Sequence, residues 1–161
     1  MIDIHEARKK GVEGVEVGDT FTTTRTFTEA DVIRFGEISR DDNPVHFNDA
    51  FADVKGLSGR ICHGLLVAGM ATEIGGQLGW LASEMQFRFR RPVYPEDRIE
   101  CRLTITSLMD DGRVSGEAVY LNQDGVIVLE AVVKGIAAVE GEKEILRRCL
   151  SHGDETPKRG A

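Results

Sequence analysis

The run HGLLVAGMATEIGGQLGWL, His63 to Leu81, decides most about what this chain can fold into. Leu66, Met70, Ile74 and Leu78 recur every four residues, at helical spacing, and Leu65, Val67 and Ala71 widen the stripe. Glu73 is the only carboxylate in it, and it holds no Lys or Arg. A helix that is apolar almost all round is a buried helix. With Glu73, His63 and five glycines the segment is too polar and too Gly-rich to read as a membrane span. Gly64, Gly69, Gly75, Gly76 and Gly79 each cost helix propensity. The expected compensation is close approach to another backbone, such as a sheet wrapped round the helix.

The C-terminal half of the chain supplies such a sheet. SEMQFRFRRPVY alternates Met85, Phe87 and Phe89 with Gln86, Arg88 and Arg90, and DRIECRLTITSL alternates Ile99, Cys101, Leu103 and Ile105 with charged residues and threonines. GRVSGEAVYLNQ and GVIVLEAVVKGIAAV complete the set, with tight-turn signals at Asp111-Gly112 and Asp124-Gly125. The expectation is an antiparallel meander, with the last, almost continuously apolar strand inside the sheet. Upstream, Gly18–Thr28 reads as a strand. Thr28 N-caps a helix with Val32, Ile33, Phe35 and Ile38 on one face, and NDAFADVKG is a short helix ended by Gly56. The class is therefore α+β, an antiparallel sheet curved round one long central helix. The expected organisation is one domain over residues 1–140. Residues 141–161 supply a closing helix in EGEKEILRRCL and a disordered tail in SHGDETPKRGA. So few strands leave one sheet edge open, and edge-to-edge homodimerisation is the natural remedy.

The 161 residues carry a net charge of -7, which argues against a nucleic-acid partner, since that needs a basic footprint. Cys62, Cys101 and Cys149 are odd in number and contain no CxxC pair, so a reducing compartment and no disulfide framework are expected. The charged N-terminus MIDIHEARKKG has no apolar secretory core, and a cytoplasmic location is the expectation.

The stretch SRDDNPVHFNDAFA crowds Asp41, Asp42, Asn43 and His46 around Pro44. A carboxylate and an imidazole held close together can bind a water and exchange protons with it. Spacing alone favours plain turn chemistry for Asp-Asp-Asn-Pro and leaves Asp41 and Asp42 as rival carboxylates. Calcium is a third reading, since Asp41-x-Asn43 starts like an EF-hand loop, but Pro44 and His46 do not continue it and the required glycine is missing. Cys62, His63 and His46 show no recognised metal-ligand spacing. Gly64 begins the buried helix, where free N–H groups and a missing Cβ suit a ligand carbonyl; the plainer alternatives are a packing glycine, with His63 a cap or a satisfied core histidine. Cys62 reads as a buried, inert thiol rather than a nucleophile. Arg88, Arg90 and Arg91 form a basic run able to receive phosphates, or simply a solvated strand face.

Taken in order, these stretches resemble the MaoC-like dehydratases, the (R)-specific enoyl-CoA hydratases. Ser39, Asp41, Asn43, Pro44 and His46 match the motif Ser-Gly-Asp-x-Asn-Pro-x-His, with Ala50 or Ala52 as its trailing small residue. CHGLLVAGMAT is similar to the family's His-Gly-Met/Leu-Leu segment, and FRRPVYPED to its Phe-x-x-Pro-Val-x-x-Gly-Asp. The resemblance spans roughly Val17 to Val139. It implies a hot-dog fold and reversible hydration of a trans-2-enoyl-CoA to an (R)-3-hydroxyacyl-CoA. No cofactor is implied beyond the coenzyme A of the substrate. By position, Asp41 and His46 would activate the water and the Gly64 N–H would polarise the thioester carbonyl. Asn43, Thr72 and His63 would position substrate, and Arg88, Arg90 and Arg91 are candidates for the coenzyme A phosphates. Two departures stand out: Arg40 replaces the first motif's glycine, and Pro95-Glu96-Asp97 replaces Gly-Asp, at what is expected to be a hairpin. The alternatives are an acyl-CoA thioesterase using Glu73 and a non-catalytic acyl-CoA-binding protein.

Overall fold

The computed structural model describes residues 1–152. Along the chain run β1 (Ile2–Asp3), α1 (Ile4–Glu13), β2 (Thr20–Thr26), α2 (Glu29–Ser39), a 3-10 turn (Pro44–His46), α3 (Asp49–Val54), α4 (Gly64–Ala68), α5 (Met70–Leu78), β3 (Leu81–Phe89), β4 (Arg98–Leu108), β5 (Arg113–Leu121), β6 (Ile127–Ile136) and α6 (Glu140–His152). The strands form one sheet in the order β1-β2-β4-β5-β6-β3, antiparallel except for the short β1·β2 pair. The sheet curves round α4 and α5, which is the hot-dog arrangement.

The period-2 pattern decides which side of each strand faces the helix. Ile99, Cys101, Leu103 and Ile105 of β4, with Val114, Ala118 and Tyr120 of β5, are buried against Val67, Ala68, Met70, Ala71, Ile74 and Leu78. The one polar group that this layer buries on β5 is satisfied: Tyr120 donates its hydroxyl hydrogen to the Ala68 carbonyl at 2.8 Å. β4, β5 and β6 form the expected meander, with Gly112 and Gly125 at positive φ in its turns. β6 is paired on both sides, as its continuous apolar run suggests.

Three expectations need correction. β3 does not pair with β4 but crosses to the far side of the sheet and pairs with β6. The connection 90–97 contains Pro92 and Pro95, the backbone amides of Arg90 and Arg91 donate to the Val128 carbonyl, and it leads from the edge strand β3 back to β4 inside the sheet, so it is no hairpin. The buried helix is interrupted at Gly69, whose backbone stays right-handed helical, and Thr72 donates its hydroxyl hydrogen to the Gly69 carbonyl at 2.6 Å. Nor do the helix glycines all mark a backbone contact. Gly75 and Gly76 face open space among the described residues, and nothing in the structure explains them. The tight backbone approach comes instead from α1, where a Cβ on Gly11 would stand 3.0 Å from Leu78 Cα.

The N-terminal segment, read only as charged, folds into α1 and buries Ala7, Gly11 and Val12. Helix α6 packs against α1. The expected disordered tail falls mostly on residues 153–161, outside the described residues. No helix among the described residues is long and apolar enough to cross a membrane.

Candidate active site

The Ser39–His46 loop is built by its own short side chains. Ser39 Oγ donates to the Phe35 carbonyl at 2.6 Å and accepts from the Asp41 amide at 3.2 Å. Asp41 Oδ1 accepts from the Asn43 amide at 3.2 Å, and Asn43 Oδ1 accepts from the Val45 amide at 3.2 Å, capping the 3-10 turn begun by Pro44. Asn43 therefore shapes the loop, and it does not line the cavity beside it. Arg40 closes α2 in the left-handed conformation, at φ 58° and ψ 28°, with its amide donating to the Gly36 carbonyl. It keeps the backbone shape that a glycine would take there.

This loop aims Asp41 and His46 at one point. His46 Nδ1 lies 2.8 Å from the Ile61 carbonyl, and a carbonyl only accepts, so Nδ1 carries the hydrogen. The lone pair is then on Nε2, which stands 3.8 Å from Asp41 Oδ2. That gap is too long for a direct hydrogen bond, and a water in the cavity beside it can reach both atoms. Burial holds the His46 pKa below the usual imidazole value, and nearby His63 adds to the effect; the Ile61 carbonyl and Asp41 oppose it. The ring is thus a neutral base at neutral pH. Asp42, the rival carboxylate, does not line the cavity, whereas Asp41 does.

The cavity in front of the pair has a volume of about 680 Å³. Its wall is mostly apolar, with Phe35, Leu57, Ile61, Val67, Val93 and Leu129 among its residues. Gly64 opens α4 at its edge, where first-turn N–H groups have no acceptor within the helix. The Phe89 ring lies on this glycine: a Cβ there would stand 2.6 Å from Phe89 Cε1. Sequence reasoning missed Phe89, although it is the Phe of the Phe-x-x-Pro stretch. It also missed Ile61, whose part is played by a backbone atom that carries no side-chain signal.

His63 is buried at 1% exposure and sits at the N-cap of α4, but its side chain makes no cap bond. Its ring stacks on His46 instead, with centroids 3.7 Å apart and planes 27° from parallel. Asp41, His46 and His63 are near enough to suggest a metal. An ion bound by both imidazoles must lie close to both ring planes, and planes stacked this way do not meet within bonding reach.

The remaining candidates lie elsewhere. Thr72 is outside this cavity, in a second concavity with Arg25, Phe27 and Glu73. Glu73 accepts from Thr23 and pairs with Arg25 at 3.1 Å, so it is not placed beside Asp41 and His46. Of the arginines, Arg91 lines the cavity; Arg90 touches it but is paired with Glu130 at 2.6 Å. Arg88 lies opposite Glu130 in the sheet register and does not line the cavity. Burial, helped by Asp97, Asp31 and Glu96, pushes the Cys62 thiol up to about 12, which leaves it protonated and unsuited to nucleophilic attack.

Residues 14–127 match the family described as the MaoC like domain. The chain is 31% identical over 135 residues to the 3-hydroxybutyryl-CoA dehydratase of Methylorubrum extorquens, covering 80% of this chain and 86% of that protein. It is 29% identical over 129 residues to the (R)-specific enoyl-CoA hydratase of Aeromonas caviae, covering 76% and 96%. In space it is similar to the unliganded R-hydratase PhaJ1 of Pseudomonas aeruginosa, with a TM-score of 0.72 at 27% identity over 78% of this chain and 84% of that one. The match over residues 14–127, with a relative 31% identical across 80% of the chain, establishes that the chain belongs to the MaoC-like family.

Proposed function

We propose that this protein is a hydro-lyase that adds water reversibly to a trans-2-enoyl-CoA, giving an (R)-3-hydroxyacyl-CoA. One observation carries the reading. The bare His46 Nε2 and Asp41 Oδ2 face each other across 3.8 Å at the polar end of an apolar cavity. The names of the relatives from Methylorubrum extorquens and Aeromonas caviae agree with it.

The chemistry comes from those positions. A water bridging Asp41 and His46 gives up a proton to the pair as its oxygen bonds to C3 of the enoyl group. The C2–C3 π electrons move toward the thioester, whose carbonyl oxygen takes the developing charge and is met by the Gly64 N–H. A proton from the pair then reaches C2 on the same face, so the net change is addition of one water. No redox step occurs, and the reaction as written uses no metal or organic cofactor. The acid–base pair supplies roughly 10²–10⁴-fold in rate, and one oxyanion donor roughly 10²–10³-fold. The acyl chain occupies the apolar part of the cavity. Arg91 at its edge is the best placed of the three arginines for a coenzyme A phosphate. The open edge of β3, with Leu81 and Phe89 exposed, supports a homodimer formed by strand pairing across two copies.

The test is loss of the conjugated enoyl-thioester absorbance of crotonyl-CoA, wild type beside Asp41→Asn. Rapid loss in the wild type alone is expected. Equal turnover in Asp41→Asn would sink the mechanism. Release of free thiol instead of a hydroxyacyl thioester would favour a thioesterase, a reading that the Glu73–Arg25 pair already disfavours.

A further inference from the structure

The second histidine is more than core filling. His63 Nε2 lies 3.0 Å from the Asp41 backbone carbonyl, and since the carbonyl only accepts, that nitrogen carries the hydrogen. The other ring nitrogen, Nδ1, is buried and has no hydrogen-bond partner among the described residues. A buried polar atom left bare is uncommon and calls for a cause. His46 is arranged the opposite way, with Nδ1–H on the Ile61 carbonyl and Nε2 bare. The two rings stack in opposite tautomers, each pinned by a backbone carbonyl. Phe35 and Phe47 close round His63, with ring centroids 5.1 and 5.7 Å away. A side chain of the same shape without polar atoms would pack here with no orphaned nitrogen.

We infer that His63 is the positioning residue of the water-activating pair: its ring face fixes the plane of His46, and its Nε2–H holds the Asp41 backbone so that carboxylate and imidazole keep their spacing. The inference rests on the hydratase reading. The residue also reaches the third element of the site. The His63 carbonyl accepts from the Leu66 and Val67 amides, so the turn that presents the Gly64 N–H is anchored on the same residue. Base, carboxylate and carbonyl-binding amide are thereby registered to one side chain and its backbone. A displacement of one of them by about 1 Å can cost on the order of a hundredfold in rate.

Two substitutions divide the role. His63→Gln keeps an N–H donor near the position of Nε2 and removes the ring. His63→Phe keeps a stacking ring of similar volume and removes the donor. Each is expected to lower kcat for crotonyl-CoA hydration by about tenfold to a hundredfold, with a smaller change in KM, because His63 borders the cavity but acts on the spacing of the pair that does the chemistry. The second readout needs no turnover. ¹⁵N NMR of the free wild-type protein is expected to show His46 as the Nδ1–H tautomer and His63 as the Nε2–H tautomer. In both variants the His46 signals and their titration are expected to move. The inference is overturned if either wild-type tautomer is the reverse. It is also overturned if wild type turns over and both variants keep its kcat, or if His46 titrates unchanged in them. Failure of wild-type protein on crotonyl-CoA and on longer enoyl-CoAs would defeat the hydratase reading and this inference with it. Should one variant not fold, the other and the wild-type spectrum still decide.

Discussion

The two ends of the buried helix are made of different material. At the Leu78 end, contacts are apolar or backbone: Leu78 is 1% exposed, Gly11 of α1 comes up against its Cα, and Gly79 ends α5 at φ 69° with Leu146 packed on it. At the Gly64 end stand two stacked histidines, a bare buried nitrogen, and a carboxylate in the loop that leaves α2 through a left-handed arginine. The same helix thus joins a region that follows the rules of packing to one that breaks several of them. Such breaches gather where a structure trades stability for chemistry. The comparison predicts that substitutions at the two ends separate activity from stability.

The largest effect is expected from Asp41→Asn. The asparagine Oδ1 can still accept from the Asn43 amide, so the loop keeps its shape. Its Nδ2 replaces Oδ2 beside the bare His46 Nε2, so the pair loses the carboxylate oxygen that accepts from the water. Turnover should fall by about 10²–10⁴-fold while the melting temperature stays within about 2 °C, measured by the enoyl absorbance and by thermal unfolding. At the other end, Leu78→Ala should cost about 2–5 kcal/mol of stability, read by urea unfolding. Its kcat per folded molecule should equal that of wild type. An equal loss of activity and stability in both variants would dissolve the distinction between the ends.

Gly64→Ala comes next, at about tenfold to a hundredfold in kcat. The backbone N–H survives this change, so any loss comes from the methyl group. With Phe89 Cε1 only 2.6 Å from the new Cβ, the ring must swing or the helix start must move. Phe89→Ala in the same chain should restore part of the loss, because it clears that contact. Failure of the double variant to recover would assign the effect to the helix start instead.

How much of this was legible depends on the range of the interactions. The helical period of Leu66, Met70, Ile74 and Leu78 and the alternation in β4 are local signals, and both appear in the fold where the sequence puts them. So do the Asp-Gly turns. The partner of β3 was not legible, because alternation says which face is buried and nothing about which neighbour is paired. Helix α1 was missed because it buries small residues, Ala7 and Gly11, which leave little apolar signal among its charges. At the site, motif order favoured Asp41 over Asp42, and the cavity lining agrees. Thr72 was displaced from the cavity by the phase of the helix, and Arg88 by the pleat of β3. The acceptor roles of Ile61 and of the Asp41 carbonyl belong to the backbone, which every residue shares and no sequence pattern marks.

The pH dependence sharpens the contrast between the ends, since only the Gly64 end carries buried imidazoles. His46 has its folded pKa below the unperturbed 6.5. Between those two values the unfolded chain binds the extra proton, so stability rises with pH there. The contribution is fully present above 6.5 and lost as pH falls through the folded value. The acid limb of kcat/KM reports the same group in the free enzyme, and its midpoint should lie below pH 6.5. Replacing Leu78 by Ala should leave that midpoint in place, whereas His63→Phe should move it. A profile centred above 6.5 would mean that His46 is not the base.

The smallest effect is expected from the two motif glycines that this chain lacks. Arg40, at φ 58°, and Glu96, at φ 72°, are the only non-glycine residues with positive φ among the described residues. Both stand where the resembling motifs have glycine, so the backbone shape survived the loss of the residue that favours it. A left-handed residue with a Cβ costs roughly 1–2 kcal/mol, and glycine gives part of that back through its freer unfolded chain. Arg40→Gly and Glu96→Gly should therefore each raise stability by about 0.5–1 kcal/mol, seen as a shift of the urea midpoint at constant slope. Since the αL shape is already present at Arg40, Asp41 needs no rearrangement, and kcat should not change in either variant. If Arg40→Gly gains stability but loses activity while Glu96→Gly does not, the lost activity is tied to the guanidinium and not to the backbone of the loop. That outcome would make Arg40 part of the route by which substrate enters.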